Sequence, residues 1–95
     1  MRDLILDAKD WQSKDDFYDG FFRAVGAPEW HGRNFNALID SIQTGQINQI
    51  EVPYKIIIRG LQPNDGPLGY FLNDFADLVR DMQSNGCPVS FQWEA

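Results

Sequence analysis

Apolar and polar positions along this 95-residue chain change period several times, and each change marks an element. Leu4-Ile5-Leu6, framed by Asp3 and Asp7, is a short apolar run that predicts a strand. Ser13 followed by Asp15 and Asp16 has the composition of a helix start. The hydroxyl suits the cap, and the acids suit the positive end of the helix dipole. Phe17, Phe21, Ala24 and Val25 recur at i, i+4, i+7 and i+8, one face of a helix that Gly26 and Pro28 stop. Residues 27–33 carry no apolar period and predict a loop holding Trp30 and His31. Asn34 is a good N-cap for a second helix. There Phe35, Leu38, Ile39 and Ile42 form the expected buried stripe. Asn36, Asp40 and Gln43, at i, i+4 and i+7, form the polar one. Gly45 closes this helix, and residues 46–53 read as loop.

Tyr54 to Gly60 is the clearest strand, with a β-branched run of the kind buried on both faces. The stretch from Gly60 to Gly69 holds two prolines and three glycines and reads as loop. A long helix is expected over residues 68–84. Phe71, Leu72, Phe75, Leu78, Val79 and Met82 form its apolar face, and Asp74, Asp77 and Asp81 lie on another. Asn85-Gly86 ends it and Pro88 forbids its continuation. Val89 to Trp93 alternates with period two, a last strand with one wet face. The order β-α-α-β-α-β predicts an α/β fold, a three-stranded parallel sheet packed with helices through right-handed crossovers. A chain of 95 residues is expected to form one domain spanning 1–95.

Charge narrows the function. Eight Lys and Arg stand against 14 Asp and Glu, a net charge of −6. That balance disfavours nucleic acid and anionic membranes, both of which attract clustered cations. It favours a basic protein partner. The single cysteine, Cys87, excludes an internal disulfide and fits a reducing compartment. The N-terminal apolar run is too short for a signal segment and no stretch approaches a membrane span, so a cytoplasmic protein is expected.

Candidate chemistry is sparse. One His and one Cys give no metal-ligand spacing, and no cofactor motif is present. No Lys-Ser/Thr or G-x-G-x-x-G follows the glycines of 60–69, so no phosphate loop is expected. No serine sits in a nucleophile-elbow context. A Cys87–His31 nucleophilic pair is conceivable, but a thiol between Gly86 and Pro88 beside a strand reads first as a small buried hydrophobe. The aspartates of the long helix read first as solvated charges, so a non-enzyme is expected.

A binding surface is better supported. Trp30 and His31 lead into a helix whose polar face carries Asn36, Asp40 and Gln43 beyond Asn34. That arrangement supplies an aromatic anchor, hydrogen-bonding groups and a charge. The same residues also allow a plainer reading, in which Trp30 packs down as a loop anchor and the stripe merely faces water.

The run Ala27-Pro28-Glu29-Trp30-His31-Gly32-Arg33-Asn34-Phe35-Asn36-Ala37-Leu38-Ile39-Asp40 resembles the signature of the barstar family. These are intracellular bacterial inhibitors of secreted ribonucleases of the barnase type. The tail is also similar: Arg80-Asp81, then Ser84-Asn85-Gly86-Cys87, then a strand. With the Leu-Ile-Leu strand, the resemblance covers nearly the whole chain. It implies a three-stranded parallel sheet with packed helices, and an inhibitor that plugs the ribonuclease active site with the loop and second helix. It implies that Asp40 is the main acidic plug where the substrate phosphate would bind, and that Trp30 covers the enzyme's catalytic His. It further implies that Gly32 and Asn34 contact the enzyme and that Asp81 stands in for a Glu of the last helix. The implied partner is a basic extracellular-type ribonuclease or related toxin, met by a monomer. A ribonuclease cleft must hold a phosphate and is therefore cationic, and a carboxylate on a rigid helix can accept paired hydrogen bonds from it.

Four positions depart from the family pattern. Asn36 stands in place of Asp, Ile39 in place of Trp, and Arg33 in place of an acid, which would repel a basic cleft. Gln46 falls near another family Trp, where the connection after Asp40 is one residue longer. These departures imply a partner other than barnase itself, and they keep open a divergent adaptor or regulatory module without a ribonuclease partner.

Overall fold

The computed structural model describes residues 2–27, 32–43 and 48–94. Strand β1 (Arg2–Asp7) leads to helix α1 (Lys14–Val25) and helix α2 (Phe35–Gln43). Strand β2 (Tyr54–Arg59), helix α3 (Gly66–Ser84) and strand β3 (Val89–Glu94) complete the order β-α-α-β-α-β that the pattern predicts. The sheet is fully parallel, with strand order β1-β2-β3.

That strand order decides where the helices go. Each crossover steps to the next strand in the same direction, and right-handed crossovers of this kind place every helix on one face. The burial follows. Side-chain rows Leu4–Ile56–Phe91 and Leu6–Ile58–Trp93 face the helices, and Leu4, Leu6, Tyr54, Ile56, Ile58 and Val89 belong to the core cluster. The alternate rows Asp3–Lys55–Ser90, Ile5–Ile57–Gln92 and Asp7–Arg59–Glu94 form the other face. Among the described residues no helix covers it, and Ile5 is 49% exposed there. The β-branched run of β2 is therefore buried throughout for two different reasons. Ile56 and Ile58 pack on helices, whereas Ile57 is 7% exposed at the centre of the open face. Neighbouring side chains enclose that face: Arg59 pairs with Glu94 at 2.9 Å and Lys55 donates to Gln92 at 3.4 Å.

Local signals act largely where the sequence places them. Asp16 Oδ2 accepts from the backbone N–H of Gln12 (2.7 Å) and Ser13 (3.2 Å), tying down the start of α1. Gly26 ends α1 in the left-handed region, φ 69°. A Cβ there would meet Gln49 Cβ at 2.7 Å, so the site rejects a side chain on two counts. Pro28 and Gly45 lie outside the described residues. Helix α3 starts at Gly66, not at residue 68, because a proline in the first helical turn forfeits no hydrogen bond. Its end is closed by Asn85 and Gly86 (φ 95°), with Cys87 N–H returning to Met82 O at 3.0 Å.

Phe17 is the hub of the core. Its ring centroid lies 4.9 Å from Phe75, 5.3 Å from Tyr18, 5.7 Å from Phe71, and 6.0 Å from both Trp11 and Phe21. Phe71 in turn meets Phe35 at 5.6 Å, which fixes the start of α2 against α3. Among the described residues no helix is long and apolar enough to cross a membrane.

Candidate functional site

Helix α2 begins where the sequence says it should. The Asn34 carbonyl accepts from Leu38 N–H at 3.1 Å, and its side-chain Oδ1 accepts from Ala37 N–H at 2.8 Å. Asn34 is thus a working N-cap. The polar stripe also forms: Asn36, Asp40 and Gln43 are all exposed along one face. The Asp40 carboxylate has no hydrogen-bond or ion-pair partner among the described residues, so its full acceptor capacity is open.

The buried stripe of α2 differs from expectation. Ala37, Leu38, Ser41 and Ile42 are buried, while Phe35 and Ile39 are half-buried against the core. The helix is rolled toward its small residues. Asn48 explains the roll: its Nδ2 donates to Ser41 O at 2.8 Å and to Ser41 Oγ at 2.7 Å. One of the last carbonyls of α2 is thus capped from the following segment. Sequence reasoning missed this latch because a serine on a helix and an asparagine in a loop carry no pairing signal. Ile39, on the flank of the stripe, is a core-packing residue and not a free surface contact.

Gly32, Asn34, Asn36, Asp40 and Gln43 are therefore all exposed. Trp30 and His31 lie outside the described residues. Asp81 is exposed on α3, a separate helix joined to α2 through the Phe35–Phe71 contact. A rise of about 1.5 Å per residue puts it about 15 Å along α3 from Phe71. Its neighbour Asp77 is engaged by Arg80 at 2.6 Å, whereas the carboxylates of Asp74 and Asp81 have no partner among the described residues.

Arg33, expected to oppose a basic partner, lies along the exposed surface of α1, paired within the chain. Its Nη1 donates to the Asp15 carbonyl at 3.0 Å and lies 3.7 Å from the Asp15 carboxylate, and its Nη2 bonds the carboxylate of Asp19. The hydrogen bond to Asp19 pushes the Arg33 pKa up. Cys87 is half-buried, and burial raises its thiol pKa, which lowers the thiolate fraction a nucleophile needs.

What this arrangement offers is an acid-centred strip on a helix held from both ends. Comparison with known proteins shows the family of the chain. The chain matches the family Barstar, described as Barstar (barnase inhibitor), over residues 1–94. It is also similar to a Bacillus subtilis (strain 168) protein named "Putative ribonuclease inhibitor YrdF", with 24% identity over 83 residues, covering 87% of each chain.

Proposed function

We propose, from the premise that this chain belongs to the Barstar family, that it is an intracellular inhibitor that seats α2 in the active site of a basic, barnase-type ribonuclease or related toxin. The observation that carries this reading is Asp40, exposed on a capped helix with no partner among the described residues. A carboxylate so placed can meet the Arg, Lys and His groups that hold a scissile phosphate, without first breaking a bond of its own. Asn34, Asn36 and Gln43 supply hydrogen bonds around it, and Trp30, His31 and Gly32 complete the contact. Asp81 adds long-range attraction from α3, because exposed charge raises association rates more than affinity. The role needs no catalysis, cofactor or metal, and a monomer in the cytoplasm suffices.

The adaptor reading draws on Asn36 and Ile39. Ile39 packs partly on the core, which accounts for an apolar residue there without a redirected surface. The inhibitor reading is therefore preferred. Its test is a titration of a barnase-type ribonuclease with this protein while RNA cleavage is followed. Activity should fall linearly to zero near one equivalent, with an association rate that drops steeply as salt rises. Undiminished cleavage at excess inhibitor, or binding indifferent to salt, would reject the reading in favour of the adaptor.

A further inference from the structure

We infer that Arg33 is a positioning residue, clamping the exit of the α1–α2 connection onto α1, with its charge neutralised inside the chain. As a statement about binding, this rests on the reading of α2 as the interface; as a statement about the free chain, it does not.

Three acceptors converge on one guanidinium: the Asp15 carbonyl, the Asp15 carboxylate and the Asp19 carboxylate. Asp15 and Asp19 lie one helical turn apart, so the planar fork spans them along the α1 surface. A lysine, with one compact ammonium, cannot reproduce that spread. Exposed ion pairs are individually weak, and the Arg33 side chain is 45% exposed here. The clamp gains from being a network with a backbone carbonyl in it. It also joins residues 14 and 18 positions apart in sequence.

Its location gives the clamp a consequence. The residue after Arg33 is Asn34, the N-cap of α2. At the other end of the connection, Ala27 N–H bonds Phe22 O at 2.8 Å, at the C-terminus of α1. The connection is thus fastened near both ends of α1, and its far fastening sits directly against the first turn of the helix that carries Asn36, Asp40 and Gln43. The trio of Arg33, Asp15 and Asp19 keeps one net negative charge, so this corner presents no cationic barrier to a basic partner. An arginine that would repel such a partner if it stood unpaired becomes a brace when it lies paired along α1.

The experiment has two arms. In the free protein, amide hydrogen exchange is measured at Ala37, whose N–H is held by the Asn34 side chain, for wild type, Arg33→Ala, Arg33→Lys and Asp19→Asn. Exchange should be about threefold to tenfold faster at Ala37 in all three variants, with core amides of β2 unchanged. Exchange in Arg33→Ala equal to wild type would overturn the clamp. In the second arm, Arg33→Glu and wild type are compared for dissociation from a barnase-type ribonuclease, because long-range charge alters association wherever the residue lies. The clamp predicts faster dissociation for Arg33→Glu, since the new acid is repelled by Asp15 and Asp19 and releases α2. Slower dissociation of Arg33→Glu would show that Arg33 faces the partner and would overturn the proposal. Should wild type fail to bind this ribonuclease, the proposed function loses its support and the exchange arm alone decides the clamp.

Discussion

Replacing Asn48 by Ala tests how the segment after α2 sets the position of that helix's polar strip. Asn48 is 9% exposed and spends both Nδ2 donors on Ser41, one on the carbonyl and one on the hydroxyl. Truncation removes two hydrogen bonds of about 0.5–1.5 kcal/mol each and strands a carbonyl in a closed environment, so the cost is about 1–3 kcal/mol. Ser41→Ala removes only the hydroxyl bond and should cost about 1 kcal/mol. In a double-mutant cycle the two changes should couple by about 1 kcal/mol, because they share one bond. Asn48→Asp should be worse than either, at about 3 kcal/mol or more, since it sets an acceptor against the Ser41 carbonyl and buries a charge. Urea unfolding followed by circular dichroism reads these numbers. With a slope near 1 kcal/mol/M for a chain this short, Asn48→Ala should lower the midpoint by about 1–3 M. A midpoint shift under about 0.5 M, or strict additivity with Ser41→Ala, would refute the latch.

Other outcomes follow from the core. Phe17→Ala removes the ring that five aromatics surround and should cost about 3–5 kcal/mol, most of the stability of so small a domain, so its thermal transition should be nearly lost while Phe17→Leu melts cooperatively at reduced temperature. The Tyr54 hydroxyl is buried without a hydrogen-bond partner among the described residues, so Tyr54→Phe should be neutral or stabilising by up to about 1 kcal/mol in the same urea assay. Burial also raises the Tyr54 pKa above its ordinary 10.0, so the folded state holds that proton longer than the unfolded state. Stability should accordingly be insensitive to this group below about pH 10 and fall as pH rises above it; Tyr54→Phe should flatten the fall, leaving the smaller contribution of Tyr18, whose pKa is raised in the same sense. An alkaline limb unchanged by Tyr54→Phe would contradict this assignment.

The strands, both capped helix starts and the polar strip of α2 were legible because each is written in neighbouring residues. Ser13 with Asp16 and Asn34 with Ala37 are contacts three residues apart, and helical spacing alone puts Asn36, Asp40 and Gln43 together. What escaped the sequence involves partners far apart in the chain. The open face of the sheet follows from strand order, which no local pattern contains. The roll of α2 toward Ala37 and Ser41 follows from Asn48, and the folding of Arg33 onto α1 from Asp15 and Asp19. In these last two cases a polar residue that looked free for solvent or for a partner had one within the fold.

The central claim, that an unengaged carboxylate on a fixed helix blocks a cationic active site, is tested most directly at Asp40. Wild type and Asp40→Ala would be titrated against a barnase-type ribonuclease with RNA cleavage as the readout, beside their far-ultraviolet circular dichroism. The account predicts unchanged spectra and binding weaker by about 2–5 kcal/mol in the variant, a range drawn from truncated interfacial charge pairs, those of the family prototype among them. Equal inhibition by both proteins, or loss of fold in Asp40→Ala, would contradict it.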